Sequence, residues 1–321
     1  MIKLSRIILN SSPVKFFTEK SKTLAIPGLR NIPLYEVIKF FRKQLKTSGL
    51  TERASAISFN FIMSIPPTCL FLFTIIPALP FISKKSLKAE IHTLIDNLLP
   101  SKAHDHTLVN FVNSFIDNTP IGLISFSFLL SLFFASNAMM GVMRSFNKNY
   151  LGFGKRKGLN KRWVAIKLTL VLFSLLLVYL MLLLTQGNIL SWIGIKDKGI
   201  KELILVGKWI LMLALIFYSF GFIYKYAPAT QKRWRLLSPG AIIATFLSIL
   251  TTIGFSIFLN NFDRYNVLYG SIGTIIASGT LIFLNSLVIL IGFEFNVSIN
   301  SLRSMADERE LKEKQNPLPA V

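Results

Sequence analysis

Few side chains in this 321-residue chain could do chemistry, and most of those that could lie inside long apolar runs. Glu294 is the one carboxylate within such runs, near the end of the last, between Gly292 and Asn296. An acid placed there can hold a proton or a cation, or pair with a cation such as Arg144 or with the basic segment before the fifth run. With no second acid beside it, a proton-coupled pump is the weaker of these readings. Asn60 and Ser64 stand one helical turn apart, directly before Pro66 and Pro67, and Pro77 and Pro80 follow. Proline lacks the backbone donor and clashes with the preceding turn, so a kink or break is expected there. The freed carbonyls then need partners, and Asn60 and Ser64 are natural ones. Transporters often build binding sites from such broken helices, whereas other proteins use the same prolines only structurally. Asn137, which ends a serine-rich run, completes the set of substrate-path candidates. Close helix packing by Ser125, Ser127, Ser131 and Ser136 is the competing explanation for that run.

Metal and enzyme chemistry find little support. His104-Asp105-His106 follows Pro100, but adjacent residues in a turn do not converge on one ion and no fourth ligand is evident, so a solvated turn is expected. His92 lies among apolar positions and reads as interfacial. Cys69 is the sole cysteine, which excludes an intramolecular disulfide and a zinc-thiolate cluster. No Gly-rich Lys-Ser/Thr phosphate loop occurs. No metal, no cofactor and no enzymatic activity are therefore expected.

The elements that must position these residues are six apolar windows: Ile57–Phe81, Ile121–Met143, Trp163–Gln186, Leu203–Tyr224, Leu236–Leu259 and Ile272–Asn296. Each is about the roughly 20 residues a helix needs to cross the hydrocarbon. They are too long and too uniformly apolar for barrel strands. With 52% hydrophobic and 16% charged residues, the expectation is an all-α, polytopic membrane bundle of six transmembrane helices with amphipathic interfacial helices. Residues 1–56 form a basic N-terminal segment, 57–296 the membrane domain with an amphipathic external loop at 82–120, and 297–321 the tail.

The net charge of +21 raises nucleic-acid binding, and the distribution of charge argues against it. Of the 36 Lys and Arg, 26 fall before the first window, between windows two and three, between four and five, and in the tail. Only eight fall in the alternate loops. By the positive-inside rule the 26 face the cytoplasm with both termini, and an even number of spans agrees. Basic residues near the surface also attract anionic lipid, at about 1 kcal/mol each. Lys39, Arg42, Lys43, Lys46, Arg144, Lys232 and Arg233 are the candidate headgroup contacts. Leu34, Ile38, Phe41 and Leu45 recur at helical spacing opposite that first basic group, giving a helix that lies along the interface or packs on the protein's own loops. Within the external loop, Leu87, Ile91, Leu94, Ile95 and Leu98 precede Pro100, and Leu108, Phe111, Val112, Phe115 and Ile116 follow it. Two amphipathic helices that lie flat, cap the bundle or dip into it fit this pattern. Met305–Val321 reads as a fraying helix and a disordered tail.

Several stretches resemble the YihY/BrkB family of bacterial inner-membrane proteins. They are Ala56–Pro67, Ala135-Ser136-Asn137 with Arg144-Ser145-Phe146-Asn147, Tyr226-Ala227-Pro228, Ser238-Pro239-Gly240-Ala241, Asn266–Gly273 and Leu290–Asn296. The resemblance spans about residues 33 to 303. It departs at Asn60, where the family usually has an aromatic residue, and at Phe293, where it usually has a small one. The resemblance implies a six-span bundle without a firmly assigned activity, in a family linked to envelope lipid export and to resistance against host defence. Some members were formerly labelled ribonuclease BN. RNA hydrolysis needs clustered carboxylates or histidines, which this chain does not place in its basic segments. The expected function is transport or export of an amphipathic, anionic envelope substrate such as a lipid or lipid precursor. The alternative is a non-transporting scaffold of the cell envelope. Expected partners are anionic membrane lipids, not nucleic acid, with a second copy of the chain or another envelope protein as a further candidate.

Overall fold

The computed structural model describes residues 33–75, 121–147, 158–184, 198–230, 233–261 and 263–315, with isolated positions between 84 and 117 and at 154 and 156. Seven helices run through the main segments: α1 Leu34–Thr47, α2 Leu50–Ile75, α3 Ile121–Phe146, α4 Gly158–Leu184, α5 Lys198–Tyr226, α6 Pro239–Asn261 and α7 Asp263–Gln315. All but α1 contain a stretch long and apolar enough to cross a membrane, so the all-α, six-span expectation holds. The chain divides into two compact units. One comprises residues 1–55, 146–154 and 230–321, the other residues 56–145 and 155–229.

In the first unit, α1 starts after Pro33, whose extended backbone places its carbonyl to accept from the amides of Glu36 and Val37. It ends at Ser48, and Gly49 follows with φ +59°. A left-handed residue after a helix stops it without a side-chain penalty only if it is glycine. The chain then turns into α2, with the Arg53 amide bonding back to the Gly49 carbonyl. The apolar face of α1 is held by the protein itself. Val37 is buried against Phe295 and Ile299, with Phe41, Ile243 and Leu302 packed alongside, and Phe41 meets Phe295 edge to face at 5.3 Å. Of the two expectations for this helix, packing on the protein describes its apolar side, although the surface used is helical and not loop. Lys39, Arg42, Lys43 and Lys46 stay exposed on the opposite side.

α6 begins with Ser238 as its N-cap. The Ser238 carbonyl accepts from Ala241 and Ile242, its Oγ from the Ala241 amide at 3.3 Å, and Pro239 fills the first helical position, where no donor is needed. α6 runs alongside α7 at a close approach. A Cβ on Gly240 would overlap the Gly292 carbonyl and come within 2.6 Å of the Asn296 side chain. Farther along, Ser248 donates to Asn285 at 2.6 Å. Away from α7, α6 turns Ile242, Phe246, Leu250, Ile253 and Ile257 outward. An exposed apolar stripe at helical spacing suits hydrocarbon, not water.

In the second unit, Phe71 of α2 lies between Phe128 of α3 and Phe173 of α4, with ring centroids 5.3 and 6.1 Å away. Thr74 and Ser127 share a buried hydrogen bond of 3.0 Å. Ser127, Ser131 and Ser136 are buried and donate to carbonyls of their own helix, which satisfies their hydroxyls and lets helices approach closely. α4 packs on α5. Arg156 closes the C-terminus of α5 by donating to the carbonyls of Tyr226, Ala227 and Pro228 at 2.9 to 3.0 Å. Cations suit the negative end of a helix.

Three expectations change. Of the kink or break expected at Pro66-Pro67, the break is absent, since α2 runs as one helix through both prolines. α2 begins at Leu50, a turn and more before the apolar window, and α7 is one helix of 53 residues that extends past both ends of its window. Residues 305–315 are the last turns of α7, whereas 316–321 lie outside the described residues. Most of the 82–120 loop, including His92 and His104-Asp105-His106, also lies outside them. Its described positions are helical, with Lys88 pairing with Asp117 at 2.7 Å and Lys84 donating to the Asp117 carbonyl.

Candidate functional site

Two polar centres carry most of the predicted residues, one in each unit. In the first, the chain from Gly292 to Ile299 is buried on every side of α7. Glu294 is fully buried and pairs with Arg53, Nη1 to Oε1 at 2.5 Å, where the arginine side chain is 9% exposed. The same Nη1 also donates to the Ser48 carbonyl at 3.2 Å. Arg53 is poised to do so because the Gly49 turn starts α2 only four residues earlier. One turn beyond Glu294, Ser298 donates to the Glu294 carbonyl at 2.8 Å.

Neighbouring residues brace this pair. Asn296 accepts from the Gly240 amide at 2.8 Å and donates to Ser238 Oγ at 3.0 Å. Its amide thereby satisfies the start of α6, where unpaired donors are expected. Phe293 stacks face to face on Phe146, with centroids 3.9 Å apart and planes 2° from parallel, and Trp234 lies at 5.7 Å from it. The ring at this departure from the usual small residue therefore fills the core beside the ion pair. Charge in a low-dielectric interior is costly unless paired and hydrogen-bonded; here Nη1 pairs with Oε1 and also bonds to the Ser48 carbonyl.

In the second unit, Asn60 is half-buried and donates to the Ala56 carbonyl at 2.6 Å, while buried Ser64 donates to Phe61 at 2.7 Å. These are not the carbonyls of Ile62 and Met63, which Pro66 and Pro67 leave without their helical donors. Asn60 also fills the space beside Gly141 of α3, where an added Cβ would meet it at 3.2 Å. One turn before Gly141, Asn137 accepts a hydrogen bond from Arg162 of α4. The guanidinium lies 4.8 Å over the Phe133 ring and 3.9 Å from Met140 Sδ. Pro66 is exposed and Pro67 buried.

The headgroup candidates Arg144 and Arg233 are exposed, as is the basic face of α1, and Lys232 lies outside the described residues. Arg53 and Arg162 were legible only as topology signal. Nothing local marks either as a partner, for Arg53 and Glu294 are 241 residues apart. No group of three or more His, Cys, Asp or Glu able to hold a metal occurs among the described residues.

A family model described as virulence factor BrkB matches residues 41–317. The putative ribonuclease-like protein YfkH of Bacillus subtilis is 26% identical over 261 residues, 80% of this chain and 92% of its own length. A UPF0761 membrane protein of Alteromonas mediterranea is 22% identical over 279 residues, covering 83% of this chain and 88% of its own. Another, of Pseudoalteromonas translucida, is 31% identical over 130 residues, 40% of this chain and 43% of its own. No solved structure matches. With nearly the whole membrane region matched, Glu294 and Asn137 included, this chain belongs to the virulence factor BrkB family of membrane proteins.

Proposed function

We propose that this protein is a transporter-like, non-enzymatic component of the bacterial inner membrane, with both termini in the cytoplasm, that moves or exports an amphipathic anionic envelope substrate such as a lipid or lipid precursor. One observation carries the reading: α1 is fastened to α7 through Val37 and Phe41, and its opposite face presents Lys39, Arg42, Lys43 and Lys46 to the surroundings. Basic side chains fixed at the end of a membrane bundle raise the local concentration of anionic headgroups. The partners are then anionic lipids, not nucleic acid. The test is reconstitution with fluorescent phosphatidylglycerol. Protein-containing vesicles are expected to exchange the lipid between leaflets faster than empty ones, and vesicles showing neither exchange nor binding overturn the reading.

The unbroken α2 favours a second reading. Asn60 and Ser64 bond within their own helix instead of lining a break, as suits a membrane scaffold that recruits an envelope protein or a second copy. Glutamine at Lys39, Arg42, Lys43 and Lys46 separates the two. The scaffold predicts loss of the cellular phenotype with no lipid exchange by any form of the protein.

A further inference from the structure

We infer that Arg144, Lys161 and Arg162 form a binding site for the phosphate-bearing headgroup of an anionic membrane lipid, whose acyl chain lies along Phe126, Leu129 and Phe133 of α3. This deepens the anionic-substrate reading and rests on its substrate class.

The three cations come together in the second unit where α3 ends and α4 begins. Arg144 stands two turns beyond Asn137 on the same side of α3, Arg162 of α4 bonds to Asn137, and Lys161, which precedes Arg162, feels the Arg144 charge. The segment from Arg144 to Arg162 contains no acid, and no carboxylate pairs with any of the three among the described residues. Arg162 is held by the neutral amide of Asn137 and by the Phe133 ring, which fix its direction and leave its charge uncompensated. Like charges gathered without a counter-ion bind an anion favourably, and Arg offers the planar fork that suits phosphate oxygens.

The ligand must also carry an apolar tail. Phe126, Leu129 and Phe133 are 59%, 63% and 54% exposed and stand at helical spacing on one side of α3. The Arg162 guanidinium rests on the last of these rings. From Phe133 to Phe126 the helix rises about 10 Å, a length an acyl chain can follow. Trp163 and Leu159, both exposed, flank the headgroup end, as aromatic residues do at the membrane–water interface. A soluble anion would use the cations and leave the stripe bare.

The test uses the full chain taken from vesicles of mixed phosphatidylglycerol and phosphatidylcholine, with retained lipid counted by native mass spectrometry. Wild-type protein is expected to retain phosphatidylglycerol over phosphatidylcholine. Arg162→Gln combined with Lys161→Gln is expected to lower that retention about thirtyfold, at about 1 kcal/mol per cation near the surface. Arg144→Gln, which removes an exposed side chain with no hydrogen bond to the described residues, is expected to lower it about fivefold if the double variant fails to fold. Arg162→Lys, which keeps the charge, retains the lipid. Retention within twofold of wild type in both the Arg144 variant and a folded double variant overturns the site, as does equal retention of the two lipids. Specific retention lost in these variants without leaflet exchange by the wild type keeps the site and removes transport. Exchange that proceeds equally in wild type and variants with unchanged retention does the reverse.

Discussion

Arginine anchors both polar centres of this protein, in opposite ways. Arg53 is buried and meets a fully buried carboxylate, whereas Arg162 is half-exposed and meets a neutral amide and an exposed ring. A charge cancelled inside a dry interior fastens helices and is unavailable to a ligand. A charge fixed in direction but not cancelled remains available. Burial and counter-charge therefore sort the polar residues of the spans into fastenings and binding groups, which polarity alone does not do.

The largest expected effect comes from breaking the fastening. Arg53→Ala leaves Glu294 buried without this partner and is expected to cost about 3 to 5 kcal/mol, measured as a fall in unfolding midpoint in detergent. Adding Glu294→Ala is expected to recover part of that loss, and strict additivity would show that the two residues are not coupled. Phe293→Ala opens a cavity beside Phe146 and Trp234 and is expected to cost about 3 to 5 kcal/mol by the same measurement. Its counterpart Phe133→Ala removes an exposed ring and is expected to stay within about 0.5 kcal/mol. Equal losses at these two phenylalanines would erase the contrast. Gly240→Ala forces α6 away from the Gly292 carbonyl, at about 1 to 3 kcal/mol. Among the substitutions expected to destabilise, the mildest is Thr74→Val, which removes the hydrogen bond to Ser127 and is expected to cost about 0.6 kcal/mol, the average for hydroxyl contacts between membrane helices.

What the sequence revealed follows from the range of each interaction. Six spans were legible because solvation by lipid demands long apolar helices, and α1 because Leu34, Ile38, Phe41 and Leu45 recur with the helical period, although Val37 and not Ile38 is the buried contact. The apolar windows misjudged the helix ends, since hydropathy marks where lipid lies while hydrogen bonding marks where a helix stops. Gly49 starts α2 well ahead of the window that begins at Ile57. The proline pair misled for a related reason: loss of two donors is a local cost, and packing of residues such as Pro67 and Phe71 outweighs it. Glu294 stood out as needing a partner, yet Arg53 could not be identified as one, because the contact joins helices at opposite ends of the chain. The Arg144, Lys161 and Arg162 cluster had a visible cue, a basic segment with no acid, but the orientation of Arg162 by Asn137 arises only when α3 and α4 pair.

The length of α7 has a mechanical consequence. From Leu302, where its packing on α1 stops, to its end at Gln315 it forms an uninterrupted arm of about 20 Å. Swinging that arm by about 10° would sweep its far tip through about 3 Å, converting a small rotation at its root into a displacement of two bond lengths.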